Sequence, residues 1–342
     1  MRKLILIELN EINFQAVEHY ISHSSDLPNF ERLLREFYRY QTTSEVEYST
    51  LEPWIQWVSV HTGLSFEEHG VFRLGDMVEN ANDQIFEVVE RQGATVGVLG
   101  AMNAANKLKR AAFFIPDPWT ATDSDNSAPS RAITHALRQA VNDNSSGTLT
   151  MKSAFNIAWT AMWLISWSQL CKLGFLAIRS RGKPWRKALF LDHLLTCYFQ
   201  GLNRKAKPDF STIFLNAGAH IQHHYFANSS FYAEKRVPMP SWYIPASDDP
   251  VKEMVTAYDT MLGQIMSQNS NYDIVLATGL SQVLCEAPTF YYRLRDHEHF
   301  LSLLQIQFVG VLPRMTRDFL VEFKDSQKTQ HAERLLSSVK LK

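Results

Sequence analysis

Residues 3–21 read KLILIELNEINFQAVEHYI. A short, partly β-branched apolar run reaches the polar pair Asn10 and Glu11 and then gives way to apolar residues at helical spacing, so the segment predicts strand, loop and helix. Comparable runs follow at 94–100 (ATVGVLG), 211–218 (STIFLNAG), 272–279 (YDIVLATG) and 304–311 (LQIQFVGV), separated by helical segments. Strands alternating with helices predict an α/β fold, a mainly parallel central sheet flanked by helices. In such sheets the ligand sits in loops beyond the carboxyl ends of the strands, and the polar clusters of this sequence lie at those ends.

The chain of 342 residues is 45% hydrophobic and 20% charged, with a formal net charge of −1. That composition belongs to an ordinary globular protein with enough apolar residues for a sizeable core, and it supplies no basic field to hold nucleic acid, which is excluded as a partner. Cys171, Cys197 and Cys285 are an odd number without metal-ligand spacing, and the apolar run after Met1-Arg2-Lys3 stops at Glu8, unlike a secretory leader. A reduced, cytoplasmic protein is expected.

The middle of the chain differs in character. A polar zone near Asp123 to Ser130 leads into SAFNIAWTAMWLISWSQLCKLGFLAIRSRGKPWRKALF, rich in Trp, Leu and Ile and basic at its end. Asn156, Ser166, Ser168, Gln169 and Lys172 break its apolar run, which falls short of the roughly 18–20 continuous apolar residues of a spanning helix. The expected organisation is an α/β core from 1–125 and 205–342, with 126–204 a helical insertion or buried cap over the active-site side of the sheet. The competing reading of 151–187 is peripheral contact with an anionic membrane through Arg179, Arg181, Lys183, Arg186 and Lys187.

Four segments carry the chemistry: LILIELNEINF, STLEPWIQWVSVHTGLSFEEHGVF with Thr62-Gly63 and His69-Gly70, NAGAHIQHHYF, and DIVLATGLSQ. In order, spacing and strand context they resemble the alkaline phosphatase superfamily, specifically its type I phosphodiesterase and nucleotide pyrophosphatase branch, over most of residues 3–310. The resemblance implies phosphoryl transfer by two divalent metals held by aspartates and histidines, with a Thr or Ser nucleophile between them. Residue by residue, Asn10 stands at the first aspartate, Ala219 at the second, and Thr278-Gly279 at an Asp-His pair, while His223 keeps the histidine. The nucleophile position falls near Glu52-Pro53, with Ser49 and Thr50 beside it.

The same loops hold other polar groups. Glu8, Asn10, Glu11 and Asn13 end the first strand, Glu52, Gln56 and His61 lie in the second segment, and Asn216, His220, His223 and His224 end the third. A rebuilt centre with at most one divalent ion, zinc or manganese, would draw on Glu8, Asn10, His220, His223 and the C-terminal His297. Glu52, Thr50, His220 and His223 are the catalytic candidates, and Gln56, Asn216, Gln282, Arg293, Arg295 and Arg314 the groups to hold an anionic small-molecule or glycan ester. Plainer roles stand beside these: Glu8 and Asn10 as caps of the following helix, His61 and His69 as structural residues, Trp54 and Trp57 as core or pocket wall, and RLRDHEH as an exposed face of mixed charge. Two functions follow, a phosphate- or sulfate-ester hydrolase or transferase with an altered site, and a catalytically silent member that binds a phosphorylated ligand, glycan or protein partner. Convergence of the replacement residues on one cavity separates them.

Overall fold

The computed structural model describes residues 2–23, 26–142, 150–235, 239–284, 294–313 and 319–339. From the N-terminus, β1 (Lys3–Leu9) leads into α1 (Phe14–Ser22) and α2 (Pro28–Glu36), and α3 (Pro53–Thr62), the single turn α4 (Phe66–His69) and α5 (Ile85–Arg91) precede β2 (Val96–Leu99) and β3 (Phe113–Ile115). The helices α6 (Ala128–Asn142), α7 (Met151–Leu164), α8 (Trp167–Arg179) and α9 (Pro184–Ala206) separate these from β4 (Phe210–Leu215) and α10 (Ala217–Tyr225). After α11 (Pro250–Gln268) and β5 (Tyr272–Ala277) come α12 (His297–Leu303), β6 (Gly310–Pro313), β7 (Phe319–Glu322) and α13 (Ser326–Ser338).

Five strands form one parallel sheet in the order β3-β2-β4-β1-β5. Alternation along β1 sorts its side chains: Ile5, Ile7 and Leu9 enter the main core, whereas Leu6 packs with Phe86, Val98 and Phe114 on the opposite face. Each of Ile5, Ile7 and Leu9 is fully buried, which stabilises the fold by about 1.5–3 kcal/mol per side chain. Glu8 and Asn10 fall on the Leu6 face, with Glu8 paired in register to Phe214 of β4 and Ala277 of β5. The α/β expectation is met.

One run behaves differently from its pattern. Residues 304–311 do not join the parallel sheet; they lead into β6, which pairs antiparallel with β7, and Ile306 packs with Leu301 and Ala332 in a separate cluster. The fifth strand of the main sheet is instead β3, whose three residues are too few to show a period.

Helix boundaries follow local chemistry. Asn13 caps α1 by accepting from Ala16 N at 2.9 Å, Pro53 opens α3, and Gly63 ends it with a φ of 70° that L side chains rarely adopt. In the middle segment α9 packs against β4, α10 and α11 and contributes Leu194, Tyr198 and Phe199 to the main core. The outer pair α7 and α8 leans on α6 and α9 but turns several large apolar side chains to solvent, where a buried cap was expected. Among the described residues no helix is long and apolar enough to cross a membrane.

Candidate functional site

The loops after β1, β4 and β5 meet the start of α3 and the helix α10 at the carboxyl edge of the sheet. Glu11 adopts the left-handed region, φ 58°, and is fastened there on both sides: its N–H donates to Thr278 O at 3.0 Å and its carbonyl accepts from Gln222 Nε2 at 2.9 Å. A non-glycine residue held this way costs on the order of 1–3 kcal/mol, and the surrounding hydrogen bonds over-determine it. The side chains at this edge form two layers.

The inner layer is dry. Glu8 is fully buried, accepts from the Thr212 hydroxyl at 2.5 Å and lies 3.2 Å from His61 Nε2. Asn10 uses both ends of its amide, Oδ1 accepting from Trp57 Nε1 at 2.7 Å and Nδ2 donating to Asn216 Oδ1 at 2.8 Å. The Trp57 indole is buried between Asn10, Phe214 and Gly279, so closely that a Cβ on Gly279 would stand 2.9 Å from Trp57 Cε2.

The outer layer is open. His223 Nε2 pairs with Glu11 Oε2 at 3.0 Å, with the imidazole more than half exposed and the carboxylate buried. Gln282 Nε2 also donates to Glu11 Oε2 and lies 3.0 Å from His223 Nε2, while the Gln282 carbonyl accepts from Asn13 Nδ2 at 2.7 Å. The hydrogen bond to Glu11 holds the His223 imidazole above its ordinary range despite partial burial. Glu52, exposed at the start of α3, is pushed up by partial burial and then by the Glu11 charge. Glu52 lies near enough to Glu11 and His223 to feel both charges, and His223 and Glu52 are each pushed toward holding a proton longer than usual.

The remaining candidates are divided among different surroundings. His220 tilts against His224, ring centroids 4.7 Å apart, and His224 Nδ1 meets the Tyr243 hydroxyl at 3.0 Å. Burial and then the adjacent imidazoles push both below the ordinary range, the opposite direction from His223. Thr50 turns its hydroxyl to Glu47 O, and Gln56 donates to Thr50 O at 3.0 Å. Asn216 serves Asn10. His297 is buried against Phe319 in the C-terminal cluster, and Arg295 is exposed just before α12. Arg293 and Arg314 lie outside the described residues.

A metal needs about three or four ligands aimed at one point. Among the described residues no three His, Cys, Asp or Glu side chains are so arranged. The donor chemistry agrees with that: at Asn10 and Gly279 an indole ring fills the space, and at Glu11 the facing atoms are an amide N–H and an imidazole N–H rather than lone pairs. Among the described residues the donors do not fit the family's paired metals.

Two buried groups escape sequence reading. Asp192 of α9 accepts from Ala217 N at 2.8 Å and from the Tyr258 hydroxyl at 2.8 Å, and Tyr258 in turn accepts from Gly218 N at 2.7 Å. The N-terminus of α10, a ready anion site by its free N–H groups, is therefore filled from within. The only available signal is that Asp192 is the sole carboxylate between Asp143 and Asp209.

The family described as Type I phosphodiesterase / nucleotide pyrophosphatase matches residues 4–277. No curated protein matches the chain significantly. The matched span runs from β1 to the end of β5, taking in the parallel sheet and both layers at its carboxyl edge. Family members act on phosphate esters and typically depend on divalent metals. The chain belongs to the type I phosphodiesterase / nucleotide pyrophosphatase family, part of the alkaline phosphatase superfamily.

Proposed function

We propose that this chain is a catalytically silent member of its family that binds a phosphorylated small molecule or glycan at the open layer, without the paired-metal hydrolysis. One observation carries this reading: the Trp57 indole is bonded to Asn10 and pressed against Gly279, two positions that the resemblance assigns to metal ligands. What stays accessible is a set of hydrogen-bonding groups, His223, Gln282 and Glu52, suited to the phosphate oxygens and hydroxyls of such a ligand.

A second reading rests on the outer layer itself. His223, raised by its bond to Glu11, and Glu52, raised by partial burial, lie close to each other as an acid/base pair would, which favours transfer or hydrolysis of an ester by a route unlike the family's.

The test is elemental analysis of the purified protein together with turnover of a phosphodiester and a phosphomonoester, for wild type, His223→Ala and Glu52→Gln. The expected result is substoichiometric zinc and manganese and no turnover above the His223→Ala background. Metal-free turnover lost in Glu52→Gln supports the second reading. Two equivalents of zinc with turnover lost in His223→Ala overturns both.

A further inference from the structure

The outer helices α7 and α8 have their polarity reversed. The face of α7 turned to the protein carries Ser153, Thr160 and Ala161 with Leu164, whereas Met151, Phe155, Met162 and Trp163 face solvent. On α8 only Leu173 is buried, and Trp167, Phe175 and Ile178 are exposed. Trp167 is 79% exposed and Met162 72% exposed, far from what a water-facing helix selects. Met151, Phe155, Trp159 and Met162 are all exposed and recur at a spacing of three or four, so they form one stripe, with Trp163 beside it.

The charge around this stripe has a single sign. From Met151 to Leu191 the chain has seven Lys or Arg and no Asp or Glu, in a protein whose net charge is −1. Lys183 and Arg186 are taken up by Asp248 and Glu253 of the core. Lys152, Lys172, Arg179, Arg181 and Lys187 are exposed and have no ion-pair partner among the described residues. Lys205 sits 3.8 Å above the Trp163 ring, so a cation borders the aromatic stripe directly. Between α6 and α7 an open groove of about 490 Å³ is walled by Phe155 and Trp159 and rimmed by Arg131, His135 and Lys152.

We propose that α7 and α8 form a monotopic docking surface for an anionic lipid bilayer, with the tryptophans and methionines entering the boundary between headgroups and acyl chains and the unpaired cations meeting lipid phosphates. Tryptophan suits that boundary because its ring is apolar and its N–H polar, and cations near an anionic surface add attraction that salt weakens. A protein partner of ordinary surface does not need so many uncompensated charges of one sign beside an aromatic face. Since no described helix can span the bilayer, attachment is from one side and reversible.

Co-sedimentation of the full chain with vesicles tests this. Phosphatidylcholine mixed with phosphatidylglycerol is expected to bind the wild type, phosphatidylcholine alone to bind it weakly, and added salt to release it. Met162→Glu with Trp167→Glu, and separately Lys172→Glu with Arg179→Glu, are each expected to weaken anionic-vesicle binding by at least about tenfold. These positions are exposed, so melting temperature and helix content should not change. Absence of binding to anionic vesicles at low salt, or unchanged binding by both variants, overturns the proposal. So does a wild-type dimer that the Met162→Glu and Trp167→Glu substitutions dissociate, which would assign the face to a second copy of the chain.

Discussion

Trp57 Nε1 donates to Asn10 Oδ1 at 2.7 Å, and through this bond a buried indole closes the end of β1 against the loop after β5. Trp57→Ala is expected to destabilise the fold by about 3–5 kcal/mol, since a large buried side chain is lost and its cavity remains. Gly279→Ala should destabilise as well, because its φ of +68° disfavours a side chain and the new Cβ would meet the ring. Urea unfolding of both variants measures the effect, and near-wild-type midpoints would show that the indole is not packed as described.

Asn10→Asp restores the residue type that the family has at this position, yet no zinc uptake is expected from it. The indole still fills the space, and the substitution replaces the amide that donates to Asn216. Elemental analysis after zinc incubation is the check. Stoichiometric zinc in Asn10→Asp would mean that a missing carboxylate, and not the ring, keeps the metal out.

Glu8→Ala leaves buried His61 Nε2 without its partner, while the Thr212 hydroxyl falls back on the Leu6 carbonyl at 3.0 Å. The expected loss is about 1–3 kcal/mol, the usual cost of leaving a buried polar group unsatisfied. Glu8→Gln keeps an acceptor and should lose less. Thermal unfolding compares the two.

His223 should titrate above the ordinary histidine range in wild type, and Glu11→Gln should bring it down, as followed by NMR of the imidazole protons. Because the folded-state value is raised, the pair stabilises the native state fully below the unfolded value and loses that contribution as pH rises through the folded one. With His223 57% exposed, the change in stability is held under about 1 kcal/mol by solvent screening. A His223 titration unmoved by Glu11→Gln would break the pair assignment.

Burial pushes the Asp192 carboxyl up to about 7. An acid raised in the folded state binds protons there that the unfolded chain has already released, so this group's contribution is complete below the ordinary aspartate range and lost as pH rises through about 7. Wild-type stability should therefore fall by on the order of 1–4 kcal/mol from this source between about pH 4 and pH 8. Asp192→Asn should flatten that slope while lowering stability at acid pH, where its amide cannot reproduce every bond at the start of α10. Denaturation midpoints at several pH values give both readings.

Periodicity and strand-end polarity determined a great deal without the structure. Leu4 to Leu9 and Ser211 to Leu215 show as strands because burial on a parallel sheet favours apolar runs, and the edge strand Tyr272 to Ala277, half-exposed, shows by its short β-branched run; both demands are local in sequence. The polar residues after them mark the carboxyl edge for the same reason. Which side chains meet there was decided only by tertiary structure. His220, His223 and His224 look like one cluster in sequence, but α10 rotates about 100° per residue, so His223 faces Glu11 while the other two face each other and Tyr243. Trp57 reads as generic wall until the loop after β5, more than two hundred residues away, brings Gly279 against it. Glu11 becomes central through a left-handed backbone that Thr278 and Gln222 hold in place, and Asp192 through a helix end it reaches only after α9 has packed. These are contacts between distant segments, set by packing and rotamer choice, and no local pattern in a single sequence carries them.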